Sequence, residues 1–193
     1  QKAVGLESEG KTVLFLAKDP STSSGQANFL GAIAVADVLK ERAAESVKLL
    51  KDLGIEVWMI TGDNERTAEA IGKKVGIEKI MAKVLPNEKS EKVKELQAQG
   101  KKVAMVGDGI NDAPALAQAN VGIAIGTGTD IAIESSNITL VSGDPMGVYE
   151  AIKLSRRTLA NIKQNLFWAS IYNIILIPVA AGAFYPIFGI LLN

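Results

Sequence analysis

The stretch Val103-Ala104-Met105-Val106-Gly107-Asp108-Gly109-Ile110-Asn111-Asp112-Ala113-Pro114-Ala115-Leu116 restricts the fold more than any other part of the chain. Its opening apolar run has the length and β-branched content of a buried strand, and Gly107 and Gly109 let the backbone turn sharply where that run ends. Acidic side chains then crowd the strand tip. In an open α/β sheet ligands bind at the carboxyl ends of the strands, so Asp108 and Asp112 stand where a hard cation is useful. The Asn111 amide beside them can donate to an anion. Paired acids in a loop are often turn formers, but Gly-Asp-Gly-x-Asn-Asp directly after a strand is much less common by chance.

The rest of the chain predicts the sheet to which that strand belongs. Val57-Trp58-Met59-Ile60, Val121 to Ile125 and Ile138 to Val141 read as further short apolar strands. Between them Ala43, Val47 and Leu50 share one helical face that Gly54 closes, and Ala68, Ile71 and Val75 share another closed by Gly76. Val93 with Leu96, and Ala113 to Ala119, mark two more helices. Such alternation implies a doubly wound α/β fold with a parallel sheet covered on both faces. Ahead of it, Lys11 to Ala17 and Leu30 to Val35 predict two strands joined by the loop Asp19 to Gly25. A hairpin without a helix is a poor domain on its own, so residues 1–36 read as the tail of a domain that begins upstream.

Composition removes whole classes of chemistry. The 193 residues carry 21 basic and 21 acidic side chains, so no global field recruits nucleic acid, and no basic stripe is interleaved with aromatics. Cysteine and histidine are both absent, which excludes disulfides, thiolate nucleophiles, zinc-finger spacing and Ser-His or Cys-His pairs. Whatever chemistry exists must use carboxylates, Lys, Thr and Asn. Gln1 to Glu9 is mixed and polar, unlike a secretory signal.

The last quarter is of another kind. Val148, Ile152, Leu159 and Ile162 form a helical stripe, with Arg156, Arg157 and Lys163 keeping residues 147–165 cationic. From Phe167 to Leu192 no charge occurs. At ~1.5 Å per residue even the part before Tyr185-Pro186 approaches the ~30 Å hydrocarbon core of a bilayer, so 166–193 predicts a transmembrane helix. A buried core helix is the other reading, and such helices rarely run so long without a polar face. The basic residues just before it imply that the α/β domain lies on the cytoplasmic side of a membrane.

Two further candidates accompany the Asp108 loop. Thr61-Gly62-Asp63-Asn64 follows the Val57 strand and precedes a helix. A hydroxyl and exposed amides there suit a phosphoryl oxygen, while Asp63 or Asn64 equally suits a helix N-cap. Lys89, in Pro86-Asn87-Glu88-Lys89, is a cation able to neutralise a phosphoryl group, although single lysines are mostly solvated surface charges.

Taken in order, Thr61-Gly62-Asp63, Lys89 and Gly107 to Leu116 resemble the carboxyl-terminal part of the phosphorylation domain of P-type ATPases, within the haloacid dehalogenase superfamily. The resemblance continues through Gly122-Ile123-Ala124 and Gly126-Thr127-Gly128-Thr129-Asp130 into the apolar end. It implies that Thr61, Gly62 and Asp63 form the phosphoryl loop, that Lys89 offsets its charge, and that Asp108 coordinates Mg²⁺. Asn111 then reaches the phosphate, and Asp112 orients the metal's water shell. Asp37, in Val35-Ala36-Asp37-Val38-Leu39-Lys40, resembles the hinge through which the ATP-binding domain returns to the phosphorylation domain, though it also reads as a helix-capping Asp. The implied division is 1–36 nucleotide-domain tail, 37–146 phosphorylation domain, 147–165 linker helix and 166–193 membrane helix.

Lys163-Gln164-Asn165-Leu166-Phe167-Trp168-Ala169, followed by Ile171-Tyr172-Asn173 and Pro178, is similar to heavy-metal transporting members, and Tyr172-Asn173 resembles the pair of Cu⁺ exporters. A Zn²⁺-type exporter is expected to place a charge in this helix. Phenol and amide oxygens are poor ligands for a soft cation, and the same two side chains suit interhelical hydrogen bonds. The family's nucleophile is the Asp of an Asp-Lys-Thr-Gly-Thr segment, which does not occur here. The chain therefore reads as one fragment of a membrane pump that uses ATP, lipid surroundings, the pump's other segments and a metal-delivering chaperone as partners. The rival expectations are a soluble phosphatase of the same superfamily, a non-catalytic membrane-anchored module, and a pump for another transition metal.

Overall fold

The computed structural model describes residues 2–18, 28–35, 38–126 and 130–181. It divides into two compact units, Gln1–Tyr149 and Glu150–Asn193. The first opens with a short helix α1 (Lys2–Ser8) and an antiparallel hairpin of β1 (Thr12–Lys18) and β2 (Asn28–Val35), in which Thr12 faces Val35. The predicted strands are present. The helix before them lacks the apolar spacing by which a sequence announces one.

The α/β part runs α2 (Ala43–Asp52), β3 (Trp58–Ile60), α3 (Glu65–Val75), β4 (Lys79–Met81), α4 (Lys89–Ala98), β5 (Ala104–Gly107), α5 (Ala113–Gln118), β6 (Val121–Ile125), α6 (Asp130–Glu134) and β7 (Ile138–Leu140). Strands alternate with helices and all pairing here is parallel, as predicted. The sheet is not continuous, however. β3 pairs with β4, while β5, β6 and β7 form a separate three-stranded ladder with β6 central. β4 escaped sequence reading because Lys79-Ile80-Met81 is too short to show a period, and its strand character comes from pairing Ile80 with Met59.

Among the described strands only β6 is buried along nearly its whole length, which is what a central strand in a parallel ladder requires. The core forms where Ile123 and Ala124 meet Ala115 and Leu116 of α5, with Val93 and Leu96 of α4, Ala68 and Val75 of α3, and Val84 also buried. Gly122 allows the close approach of α5, since a Cβ there would lie 2.6 Å from the Leu116 carbonyl oxygen. Gly76 stops α3 in the left-handed region at φ 79°, a conformation that glycine adopts without steric cost.

At the amino-terminal ends of β3 and β4 a charged cluster sits around Trp58. The Glu56 carboxylate accepts hydrogen bonds from Lys101 Nζ at 2.8 Å, from Lys79 Nζ, and from Trp58 Nε1 at 2.7 Å. The Lys79 and Lys101 ammonium groups lie 5.1 Å and 5.7 Å from the Trp58 ring centroid. The hydrogen bonds from Lys101 and then Lys79 hold Glu56 down to about 2. A depressed carboxylate stabilises the fold above its ordinary range and loses that contribution as pH falls through the folded value. Glu56→Gln is therefore expected to flatten the acid limb of an unfolding curve between the ordinary 4.5 and about 2. Because the cluster is solvent-exposed, the difference should shrink with added salt in the same titration.

The second unit begins within α7 (Met146–Ala180), one helix that takes in both the predicted linker and the start of the predicted span. No helix among the described residues is long and apolar enough to cross a membrane. The expected transmembrane helix is thus not shown among the described residues. In α7 the charge-free part from Gln164 to Ala180 covers only about 26 Å at ~1.5 Å per residue. The other residues counted into the span, 182–193, lie outside the described ones.

Candidate functional site

Two strand ends and one helix start present the chemistry. β3 ends at Ile60, and Thr61 leaves the sheet with its N–H still bonded to the Met81 carbonyl at 2.9 Å. The Thr61 hydroxyl donates to Asp63 Oδ2 at 2.8 Å and accepts from the Asp63 backbone N–H at 3.1 Å. This reciprocal pair closes the Thr61-Gly62-Asp63 loop. The helix-cap reading of the next residue also holds, because Asn64 Oδ1 accepts the Thr67 N–H at 3.0 Å. One short segment thus supplies both a polar loop and a helix cap.

The loop is tied forward to Lys89. Val84 N–H bonds the Thr61 carbonyl at 3.0 Å and Lys83 N–H bonds the Asp63 carbonyl at 2.8 Å. Beyond Val84 the chain makes a 3₁₀ turn, Pro86–Glu88, fixed by Glu88 Oε2 accepting the Leu85 N–H at 3.0 Å. The turn delivers Lys89 at the start of α4.

Lys89 is not a solvated surface charge. Its Nζ donates to Asp112 Oδ1 at 2.6 Å, and the two side chains are only 18% and 13% exposed. Asp112 closes a second 3₁₀ turn, Ile110–Asp112, through its N–H to the Gly109 carbonyl at 3.1 Å. That turn folds Asp112 back over the end of β5, where a Cβ on Gly107 would lie 2.7 Å from Asp112 Cβ and 2.8 Å from its Oδ2. Glycine at 107 is thus required by the neighbouring carboxylate, not by the backbone angle. The structure brings together Gly107, Asp112 and Lys89 at the tip of β5, with Asp108 and Asn111 exposed beside them.

No three carboxylate, histidine or cysteine groups gather around one point among the described residues. Magnesium does not need them, since it keeps several waters and takes one or two carboxylates together with a phosphate oxygen. The hard oxygens of Asp108 and Asp112 suit that chemistry, with Asp112 already committed in part to Lys89. Asp37 lies outside the described residues, and so do 127–129 of the Gly126-Thr127-Gly128-Thr129 stretch. Tyr172 and Asn173 are on the exposed surface of α7 in the second unit.

Sequence reading missed two hydroxyls. Thr12 Oγ1 donates to Asp63 Oδ1 at 3.4 Å, and Thr67, only 2% exposed, donates from Oγ1 to the Lys11 carbonyl at 3.2 Å. The Asn-x-x-Thr spacing announces the cap, but nothing local announces a partner 56 residues away.

Residues 1–120 match the haloacid dehalogenase-like hydrolase family, and residues 89–152 match a second family of the same description. Among curated proteins the chain is similar to a probable copper-transporting ATPase of Synechocystis, 57% identical over 97% of this chain and 24% of that protein. It is also similar to a probable copper-exporting P-type ATPase of Archaeoglobus fulgidus, 55% identical over 96% of this chain and 22% of that protein. Among solved structures it superposes on a zinc-transporting PIB-type ATPase in an E2.Pi state, with TM-score 0.75 and 39% identity over 92% of this chain and 28% of that one. The chain spans about a quarter of the length of the curated relatives it matches. With a family match over most of its length and parallel β-α units ending in the acidic strand tip, the chain belongs to the haloacid dehalogenase-like hydrolases.

Proposed function

We propose that this chain is the phosphoryl-handling portion of an ATP-driven heavy-metal pump that exports Cu⁺ and works through an aspartyl phosphate. One observation carries the reading: the Lys89–Asp112 pair lies at the tip of β5 and is joined through Val84 to the Thr61 loop. A cation, a hydroxyl and a carboxylate offered at the ends of β3 and β5 and the start of α4 are what phosphoryl transfer needs, because positioning and charge neutralisation supply most of its rate.

In this reading Lys89 keeps one of its three N–H donors on Asp112 and turns the others to phosphoryl oxygens. Asp112 thereby aims the ammonium group. The single Thr61 O–H, now on Asp63, transfers to a phosphoryl oxygen when one arrives, and Asp63 then keeps the loop closed through its backbone. Asp108 holds Mg²⁺, which supplies neutralisation of the phosphoryl charge, and Asn111 donates to the same group. The attacking carboxylate comes from the rest of the protein. That β3 and β5 belong to separate ladders, each with no second partner strand among the described residues, supports a further strand being contributed from outside the chain. Tyr172 and Asn173 contribute to the transported cation's path, Asp37 to the hinge, and α7 begins the membrane part.

The test is acyl-phosphate formation. The complete protein, incubated with γ-labelled ATP and Cu⁺, is expected to acquire label that is stable in acid and released by hydroxylamine, while residues 1–193 alone acquire none. Mg²⁺-dependent hydrolysis of simple phosphomonoesters by residues 1–193 alone would instead establish the phosphatase reading.

A further inference from the structure

Thr67 is one of two buried polar residues among the described core positions, and its hydroxyl is directed away from its own helix. A Thr in the first turn of a helix ordinarily bonds locally or faces water. Here the hydroxyl holds the Lys11 carbonyl at 3.2 Å, in the residue that leads into β1. The same face of α3 makes two further clasps on that segment. Lys74 Nζ donates to the Glu9 carbonyl at 2.6 Å, and Arg66 Nη1 reaches Glu7 Oε2 at 3.5 Å. Next in the held segment, Thr12 donates to Asp63 Oδ1, whose sister oxygen accepts the Thr61 hydroxyl. The contacts form a chain from α3 through Lys11 and Thr12 back to the phosphoryl loop that precedes α3.

We propose that Thr67 is a positioning residue that fastens the chain entering β1 to the Thr61–Asp63 loop, keeping the nucleotide-module tail and the phosphoryl loop in one register. The inference rests on the pump reading above. Its consequence is selective. Transfer from ATP needs the nucleotide half seated correctly over the loop, whereas uptake of inorganic phosphate in the reverse reaction needs the loop alone. Removing the hydroxyl leaves the Lys11 carbonyl without that donor and frees Thr12 from Asp63, yet leaves Thr61, Asp63 and Lys89 in place.

In the complete protein, Thr67→Val keeps the side chain's shape and is expected to raise the ATP concentration for half-maximal acyl-phosphate formation on the order of fivefold to tenfold, the scale of one buried hydrogen bond. Phosphorylation from inorganic phosphate should stay within about twofold of wild type, since the Thr61–Asp63 and Lys89–Asp112 hydrogen bonds remain. Thr67→Ser should restore the ATP dependence. If Thr67→Val does not fold, Lys74→Met removes a surface clasp of the same segment and should move ATP dependence in the same direction. Equal losses with both phosphoryl donors, an unchanged ATP dependence, or failure of Ser to restore it would each overturn the proposal. A wild-type protein that forms no acyl phosphate from either donor overturns the pump reading, and this inference with it.

Discussion

Asp108→Ala in the complete protein is expected to abolish Mg²⁺-dependent turnover, lowering it by at least about 10²–10³-fold, the scale of one lost electrostatic stabiliser. The reasoning starts at the strand tip. Asp108 follows β5 directly and is exposed, so its removal opens no cavity and strands no buried partner. The fold should therefore survive, and a thermal unfolding curve close to wild type is part of the expected result. The check is metal-stimulated ATP hydrolysis across a Mg²⁺ titration. Activity retained at any Mg²⁺ concentration with an unshifted midpoint would remove Asp108 from its assigned role.

Lys89→Met is expected to cost both activity and stability. The ammonium group is 18% exposed and sits 2.6 Å from Asp112, which is itself 13% exposed, so its loss leaves a mostly buried carboxylate without that cation. An orphaned group of this kind destabilises by about 1–3 kcal/mol, and loss of the cation facing the phosphoryl group lowers acyl-phosphate formation about 10²-fold or more. Adding Asp112→Asn separates the two effects. The double variant should recover much of the denaturation midpoint, because the unpaired charge is gone, and recover none of the phosphorylation. Recovery of activity in the double variant would mean that Lys89 serves only to hold Asp112.

The fold was largely readable because its signals are local. Val121 to Ile125 had to be a buried strand by its unbroken apolar run, and β6 is the buried centre of its ladder. Ala68, Ile71 and Val75 announced α3 by spacing, and Gly76 announced its end. Lys79-Ile80-Met81 gave no such signal, because three residues cannot display a period. The transmembrane expectation summed apolar residues beyond Ala181, whereas the described helix offers too short a charge-free stretch.

At the site the division is similar. Residue types and order alone identified Thr61, Lys89, Asp108, Asn111 and Asp112 as candidates, since hydroxyl, cation and carboxylate at strand ends suit one kind of chemistry. The same information left Lys89 indistinguishable from a surface charge and Thr67 from a spectator. Their partners are distant in the chain: Lys89 meets Asp112 across 23 residues and Thr67 meets Lys11 across 56. Such pairs depend on how helices pack against the sheet, which apolar burial decides without reference to the polar groups it carries along. What the amino-acid order determined was therefore the elements and the chemical repertoire. Which oxygen faces which nitrogen was decided only when Gly122 let α5 close on β6 and Gly107 made room for Asp112.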